Sequence, residues 1–262
     1  MNYKIYQVDA FTNEIFHGNP ACVVQLEHWL SNDLLLNIAQ ENGVSETAFF
    51  IVKKDSVDLR WFTPDIEIDL CGHATLATAH ILKTVLKYSF NKIVFNTMSG
   101  HLIVECRDVF YFLNFPSRKA IKASLPIEIK KSLNIQPKEV YKARDYMLIY
   151  QKQSDIENII INRYFFDQIN LGYGGVILTS IGNQVDFVSR FFTPQATILE
   201  DPVTGSAHCT LIPYWSYELK KKSLIGHQIS KRGGVLNCID LGDRVSISGQ
   251  AKIFSIGEIF LK

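Results

Sequence analysis

Along the first half of the chain, apolar residues recur mostly with the two-residue period of strands and twice with the spacing of a helix. YKIYQVDAF and ACVVQL read as strands joined by the turn-like FHGNP. TAFFIV, VDLRWF, KIVFNT, HLIVEC and VFYFLNF follow as further strands, separated by Gly and Asp signals. SNDLLLNIAQENG reads as a helix: Ser31 caps its start, Leu34, Leu35, Ile38 and Ala39 form one apolar face, and Asn42-Gly43 stop it. A second helix is predicted from Ala74 to Lys87, ATLATAHILKTVLK, with Gly72 just before it.

The second half repeats the theme. MLIYQ, GVILTS and VDFVSRFF are β-type runs, a helix is predicted from about Ser206 to Lys221, and the end is rich in strands. One phrase is written twice: RWFTP at Arg60 to Pro64 returns as RFFTP at Arg190 to Pro194, followed by CGHATLA in the first copy and TGSAHCTL in the second. Strands in runs, with one long helix after each copy, predict an α+β protein of two similar halves, residues 1–118 and 119–262. Each half is expected to be a curved, mainly antiparallel sheet wrapped on its helix, with the linker between FPSRKAIKASLP and NIQPKE and the active site in the cleft between halves.

Charge and composition narrow the partners. With 27 basic and 26 acidic residues the chain carries no field to attract nucleic acid or an anionic membrane. The 5 cysteines (Cys22, Cys71, Cys106, Cys209, Cys238) are odd in number, scattered and without C-x-x-C, which argues against a disulfide framework or structural zinc and fits a reducing cytoplasm. No signal-peptide pattern opens the chain, and no run of about 18 apolar residues is present.

Both copies of the repeat lead to a glycine at a helix start, Gly72-His73-Ala74 and Gly205-Ser206-Ala207. Free amides and the positive end of the dipole make such a start a place for a carboxylate. The copies differ in their polar groups: His73 stands where the second copy has Ser206, and the second adds Asp201 in EDPVTGSAH. Glu46, in NGVSETAFF, lies between a helix stop and an apolar strand, at the expected edge of the core, where desolvation moves a carboxylate towards the working range of a general base. Taken singly, His73 also reads as a core or capping histidine, and Glu46 as a loop glutamate or a cap. The 7 histidines show no metal-ligand spacing, and neither nucleotide-binding glycine motif occurs, so neither a metal nor a nucleotide cofactor is expected.

VDAFTNEIFHGNPACVV, VSETAFF, LRWFTPDIEIDLCGHATLATA, EDPVTGSAHCTLIPYW and KRGGVL, in that order, resemble the phenazine biosynthesis-like PhzF family over essentially the whole chain. The resemblance implies a diaminopimelate epimerase-like fold and a homodimer that needs no cofactor. It further implies an isomerase acting on a small carboxylate-bearing molecule by proton transfer, as in the family's dihydro-hydroxyanthranilate isomerase. By motif, Glu46 is then the proton carrier, with His73 and Asp201 as further catalytic groups. Gly72, Ala74, Gly205, Ser206 and Ala207 are substrate-binding positions. The chain departs from the family pattern at Cys22, where a small apolar residue is usual, and in QATILE, which lacks an expected glycine.

Two other functions stay open at this level. An amino-acid racemase or epimerase needs a base on each face of the carbon, for which Cys209 or Asp201 would have to serve as the second. A non-catalytic small-acid-binding protein would not depend on Glu46.

Overall fold

The computed structural model describes residues 2–261. In chain order its elements begin β1 (Asn2–Ala10), β2 (Asn19–Gln25), α1 (Asn32–Asn42), β3 (Glu46–Val52), β4 (Val57–Phe62), β5 (Glu67–Ile68) and α2 (Gly72–Thr84). Next come β6 (Lys92–Thr97), β7 (Gly100–Arg107), β8 (Phe110–Pro116), β9 (Ile121–Lys122), α3 (Ile127–Ser132), β10 (Glu139–Lys142) and β11 (Tyr146–Ile149). The chain continues with α4 (Gln153–Glu157), α5 (Arg163–Phe166), β12 (Val176–Ile181), β13 (Phe187–Phe192), β14 (Glu200–Asp201) and α6 (Gly205–Leu219). It closes with β15 (Ser223–Gln228), β16 (Gly234–Asp240), β17 (Arg244–Gly249) and β18 (Ala251–Phe260).

These elements form two compact units. One runs through Phe115 and regains the chain from Ser246 onward; the other is Pro116–Val245. The division expected from sequence, at 118/119, therefore misassigns the C-terminal stretch. β18 pairs antiparallel with β1 from Asn2↔Phe260 to Ala10↔Ala251, a pairing between chain ends that leaves no local mark.

In the first unit β1 pairs antiparallel with β2, and β2 runs parallel to β3. β3 pairs antiparallel with β4, which also pairs with β5 and runs parallel to β6. The sheet is thus mainly antiparallel with two parallel pairs. α2 packs against β1, β2, β3, β7 and β18. Its residues from Gly72 to Ala79, with Ile81 and Leu82, are all buried, as suits an inner helix that is apolar on every side. α1 covers another face, with Leu35, Ile38 and Ala39 on Val24, Phe49, Ile51 and Phe62; each such large side chain contributes about 1.5–3 kcal/mol by burial. Ser31 caps α1 through Leu34 N–H (3.3 Å), and Gly43 closes it at φ 62°. Leu34, expected on the apolar face, is only half-buried at its rim.

The second unit repeats the pairing. β11 runs parallel to β12, β12 pairs antiparallel with β13, and β13 pairs with β14 and runs parallel to β15. α6 is the inner helix, buried from Gly205 to Pro213. An outer layer of α3, α4 and α5 sets Ile129, Ile156 and Phe166 on Leu148, Leu178 and Val188. These three helices are of 6, 5 and 4 residues, too short to show a helical period, and the sequence reading lacks them.

The doubled phrase has a structural reason. Arg60 makes paired hydrogen bonds of 2.7 Å to Glu67, and Arg190 does the same to Glu200 at 2.6 and 2.8 Å. Each guanidinium also lies over the aromatic ring two residues on, Phe62 at 5.2 Å and Phe192 at 4.8 Å. The threonine then turns the chain: Thr63 N–H donates to Ile66 O and Thr193 N–H to Leu199 O, both 2.9 Å. Each copy is a clasp between a central strand and the short strand that leads into the inner helix. Where the second copy lacks the expected glycine, Gln195 itself adopts φ 63°, held by Asp167 through its amide at 2.8 Å and its side chain at 3.1 Å.

Candidate active site

Glu46 opens β3 and His73 is the second residue of α2, so the sheet and the inner helix of one unit bring them together. Glu46 Oε2 lies 2.9 Å from His73 Nε2, off the line of an aligned N–H···O bond, which makes the contact an ion pair more than a fixed hydrogen bond. His73 is 2% exposed and Glu46 13%. Asn19, at the start of β2, donates from Nδ2 to His73 Nδ1 at 3.1 Å. Its place follows Gly18, whose φ of 66° and lack of a side chain are both required: a Cβ there would sit 2.2 Å from Ala10 O. With Asn19 donating, the neutral ring keeps its proton on Nε2, toward Glu46; the imidazolium keeps that proton and needs the amide to present its oxygen instead.

Cys71 completes this cluster, its sulfur 3.5 Å from His73 Nδ1 and 4.0 Å from Nε2. Burial alone opposes the imidazolium. The Cys71 sulfur and the Glu46 carboxylate outweigh it and hold the His73 pKa well above the usual histidine range. The Cys71 thiol is itself pushed up to about 11, first by burial and then by the Glu46 carboxylate. Near neutral pH it is therefore uncharged, and Glu46 supplies the charge that holds the imidazolium. Glu46, Cys71 and His73 offer donor atoms within 4.8 Å of one another, a set able to hold a cation, which the histidine spacing alone does not reveal because a glutamate and a cysteine provide the other ligands.

In the second unit, Asp201 lies in β14 and its Oδ2 accepts from Thr204 Oγ1 at 2.5 Å. Gln228, fully buried, ties this loop down: its Oε1 accepts from Thr204 N–H (2.8 Å) and its Nε2 donates to Asp201 O (2.7 Å) and Thr204 Oγ1 (3.1 Å). Ser206 accepts from Arg144 Nη2 at 2.8 Å. Gly205, Ser206 and Ala207 are buried in the first turn of α6, as Gly72 and Ala74 are in α2. Neither helix start carries a side-chain cap, so buried amides there are left for another acceptor.

Of the residues expected from sequence, Glu46, His73, Gly72 and Ala74 come together in the first unit. Asp201, Gly205, Ser206 and Ala207 lie together in the second. Asn19, Arg144, Thr204 and Gln228 were not anticipated. GNP and TGS, inside the quoted motifs, already contain Asn19 and Thr204, but Arg144 arrives from the turn between β10 and β11 and Gln228 through strand pairing. The inner helices also align Cys71-Gly72-His73 with Thr204-Gly205-Ser206, each triplet starting at the residue before the helix.

The family model for phenazine biosynthesis-like protein, PhzC-PhzF, matches residues 8–257. An uncharacterized isomerase of Pseudomonas aeruginosa is 42% identical over 261 residues, covering 100% of both chains. A PhzF-family phenazine biosynthesis protein of Enterococcus faecalis has a solved structure that matches with a TM-score of 0.93 at 43% identity, over 100% of both chains. A hydroxyproline epimerase of Agrobacterium vitis, 11% identical, matches with a TM-score of 0.66 over 98% of this chain and 92% of that one, and shares the fold alone. Among the described residues no helix is long and apolar enough to cross a membrane.

Proposed function

This chain belongs to the family of phenazine biosynthesis-like proteins and is an isomerase, and from that premise we propose that Glu46 moves a proton between carbons of a small carboxylate-bearing metabolite. The observation that carries the reading is the buried contact of 2.9 Å between Glu46 and the favoured imidazolium of His73. A carboxylate set against a cation is placed to take up and return a proton. It removes the proton from a carbon acid, whose electron pair spreads into the adjoining unsaturated system. The resulting carboxylic acid then returns the same proton at another carbon. Atoms and electrons balance with no oxidant, reductant or cofactor.

The substrate carboxylate fits an uncapped helix start, where Gly72 and His73 offer buried amides in the same unit as Glu46. The family resemblance assigns Asp201 and Ser206 to proton handling and substrate binding. It also extends the proposal to a homodimer in the cytoplasm.

A racemase with one cysteine base on each face is less well supported. Cys71 precedes α2, but Thr204 holds the matching place before α6, and a threonine hydroxyl is no base near neutral pH. The test is whether the protein exchanges a carbon-bound proton of a small acid with solvent, and whether that exchange needs Glu46.

A further inference from the structure

We propose that Glu46, Cys71 and His73 form a binding site for a thiophilic divalent cation, zinc before others, whose occupancy shuts off proton transfer. The site stands on the geometry of the cluster alone; its effect on catalysis rests on Glu46 being the proton carrier.

The donor set selects the metal. A sulfur, an imidazole nitrogen and a carboxylate oxygen are the three ligand types that zinc takes, whereas magnesium and calcium call for oxygen throughout. The three donor atoms all lie within 4.8 Å of one another. His73 Nε2 is 2.9 Å from Glu46 Oε2 and 4.0 Å from Cys71 Sγ. Bonds of the usual zinc lengths at tetrahedral angles put neighbouring donors about 3.3–3.6 Å apart. A metal between them widens the first separation and narrows the second through small rotations of Glu46 and Cys71. Both Cys71 and His73 are buried at the start of α2, and Glu46 is the first residue of β3, so regular elements present all three ligands.

The surrounding polar contacts suit the same ion. Glu46 Oε2 is buried and accepts no aligned hydrogen bond. The Asn19 amide lies 3.1 Å from the other ring nitrogen, Nδ1. A ring bound to metal through Nε2 carries its proton on Nδ1 and needs an acceptor there. The amide orientation that serves the imidazolium, oxygen toward Nδ1, serves this ring unchanged. On binding, the thiol and the imidazolium each release one proton to solvent. Carboxylate and thiolate then set two negative charges against the two positive charges of the ion, and the buried site stays neutral. With its carboxylate on the metal, Glu46 no longer takes a proton from carbon.

Cobalt stands in for zinc and is coloured, so it reads the site directly. Co²⁺ titrated into the full chain without an affinity tag should give a sulfur-to-cobalt absorption band that saturates at about one ion per chain, is displaced by Zn²⁺ and is untouched by Mg²⁺ or Ca²⁺. Cys71→Ala should abolish the band and Glu46→Gln weaken cobalt binding by about tenfold or more. Cys106→Ser, at a half-buried thiol outside the cluster, should leave it as it is. Thermal unfolding of each metal-free variant controls for folding. The site is overturned by the absence of a saturating band in the native protein, by a band that survives in Cys71→Ala, or by full affinity in a Glu46→Gln protein that melts like the native one. Where the native protein exchanges a carbon-bound proton of an acid with solvent, one equivalent of Zn²⁺ should stop the exchange and a chelator restore it. Exchange that continues with zinc bound overturns the shut-off, and with it Glu46 as proton carrier, while the cobalt band still decides the site.

Discussion

Glu46 Oε2 and His73 Nε2 lie 2.9 Å apart, one on the first residue of a strand and the other in the first turn of a buried helix. Burial opposes charge on His73, so the imidazolium persists only because a neighbour favours it. Nitrogen-detected NMR of the ring should show native His73 still protonated above the ordinary value of 6.5. Glu46→Gln should drop it to a neutral ring near neutral pH, while Cys71→Ala should leave it protonated. A large drop in Cys71→Ala with none in Glu46→Gln would transfer the role to the sulfur.

The same shift makes a stability prediction whose sign is fixed. A histidine raised on folding stabilises fully below its unfolded value of 6.5, and the contribution fades as pH rises through the folded value. Denaturant unfolding of the native protein and of His73→Gln should therefore differ in their dependence on pH above 6.5. Parallel curves throughout that range would contradict the assignment.

Gln228 should matter more than a single buried amide usually does. Its three hydrogen bonds hold Asp201 and Thr204 just before α6. Gln228→Leu leaves Thr204 N–H without its acceptor, and each such orphaned group costs about 1–3 kcal/mol. A loss in that range is expected in chemical denaturation. A change within experimental error would mean that the loop re-pairs without it.

The two copies of the clasp should differ in strength. Arg60 adds Asn32 Oδ1 to its glutamate, at 2.7 Å near the surface, whereas Arg190 also reaches Ile156 O at 3.2 Å and Ile159 O at 3.1 Å. Truncating Arg190 takes the side-chain donor from the Ile159 carbonyl as well as from a half-buried glutamate, while Ile156 O keeps the Ile159 N–H at 3.4 Å. Arg190→Met should lower the melting temperature more than Arg60→Met, and the opposite order would show that the first copy is the stronger clasp.

The duplication was legible in the sequence because its residues are local: RWFTP and RFFTP each carry the arginine, the ring and the turn within one short stretch. Glu46 and His73 were legible through motifs of the same kind. Element ends were less so: α2 starts at Gly72 and ends at Thr84, ahead of the expected Lys87, which instead adopts φ 54°. What escaped was made by distance along the chain. Asn19 meets His73 where α2 packs on β2, Arg144 meets Ser206 from 62 residues away, and β18 returns to β1 from the far end of the chain. None of these leaves a periodicity or a spacing to read.

The measurement closest to the central claim is solvent deuterium incorporation, followed by NMR, into a panel of cyclic and linear amino and hydroxy acids. The native protein should place deuterium on carbon in at least one of them, accompanied by a shifted double bond, and Glu46→Gln should lose that activity by a factor of about 10² or more. Incorporation that survives in Glu46→Gln, in a protein that is folded and binds the same acid, would contradict proton transfer through Glu46.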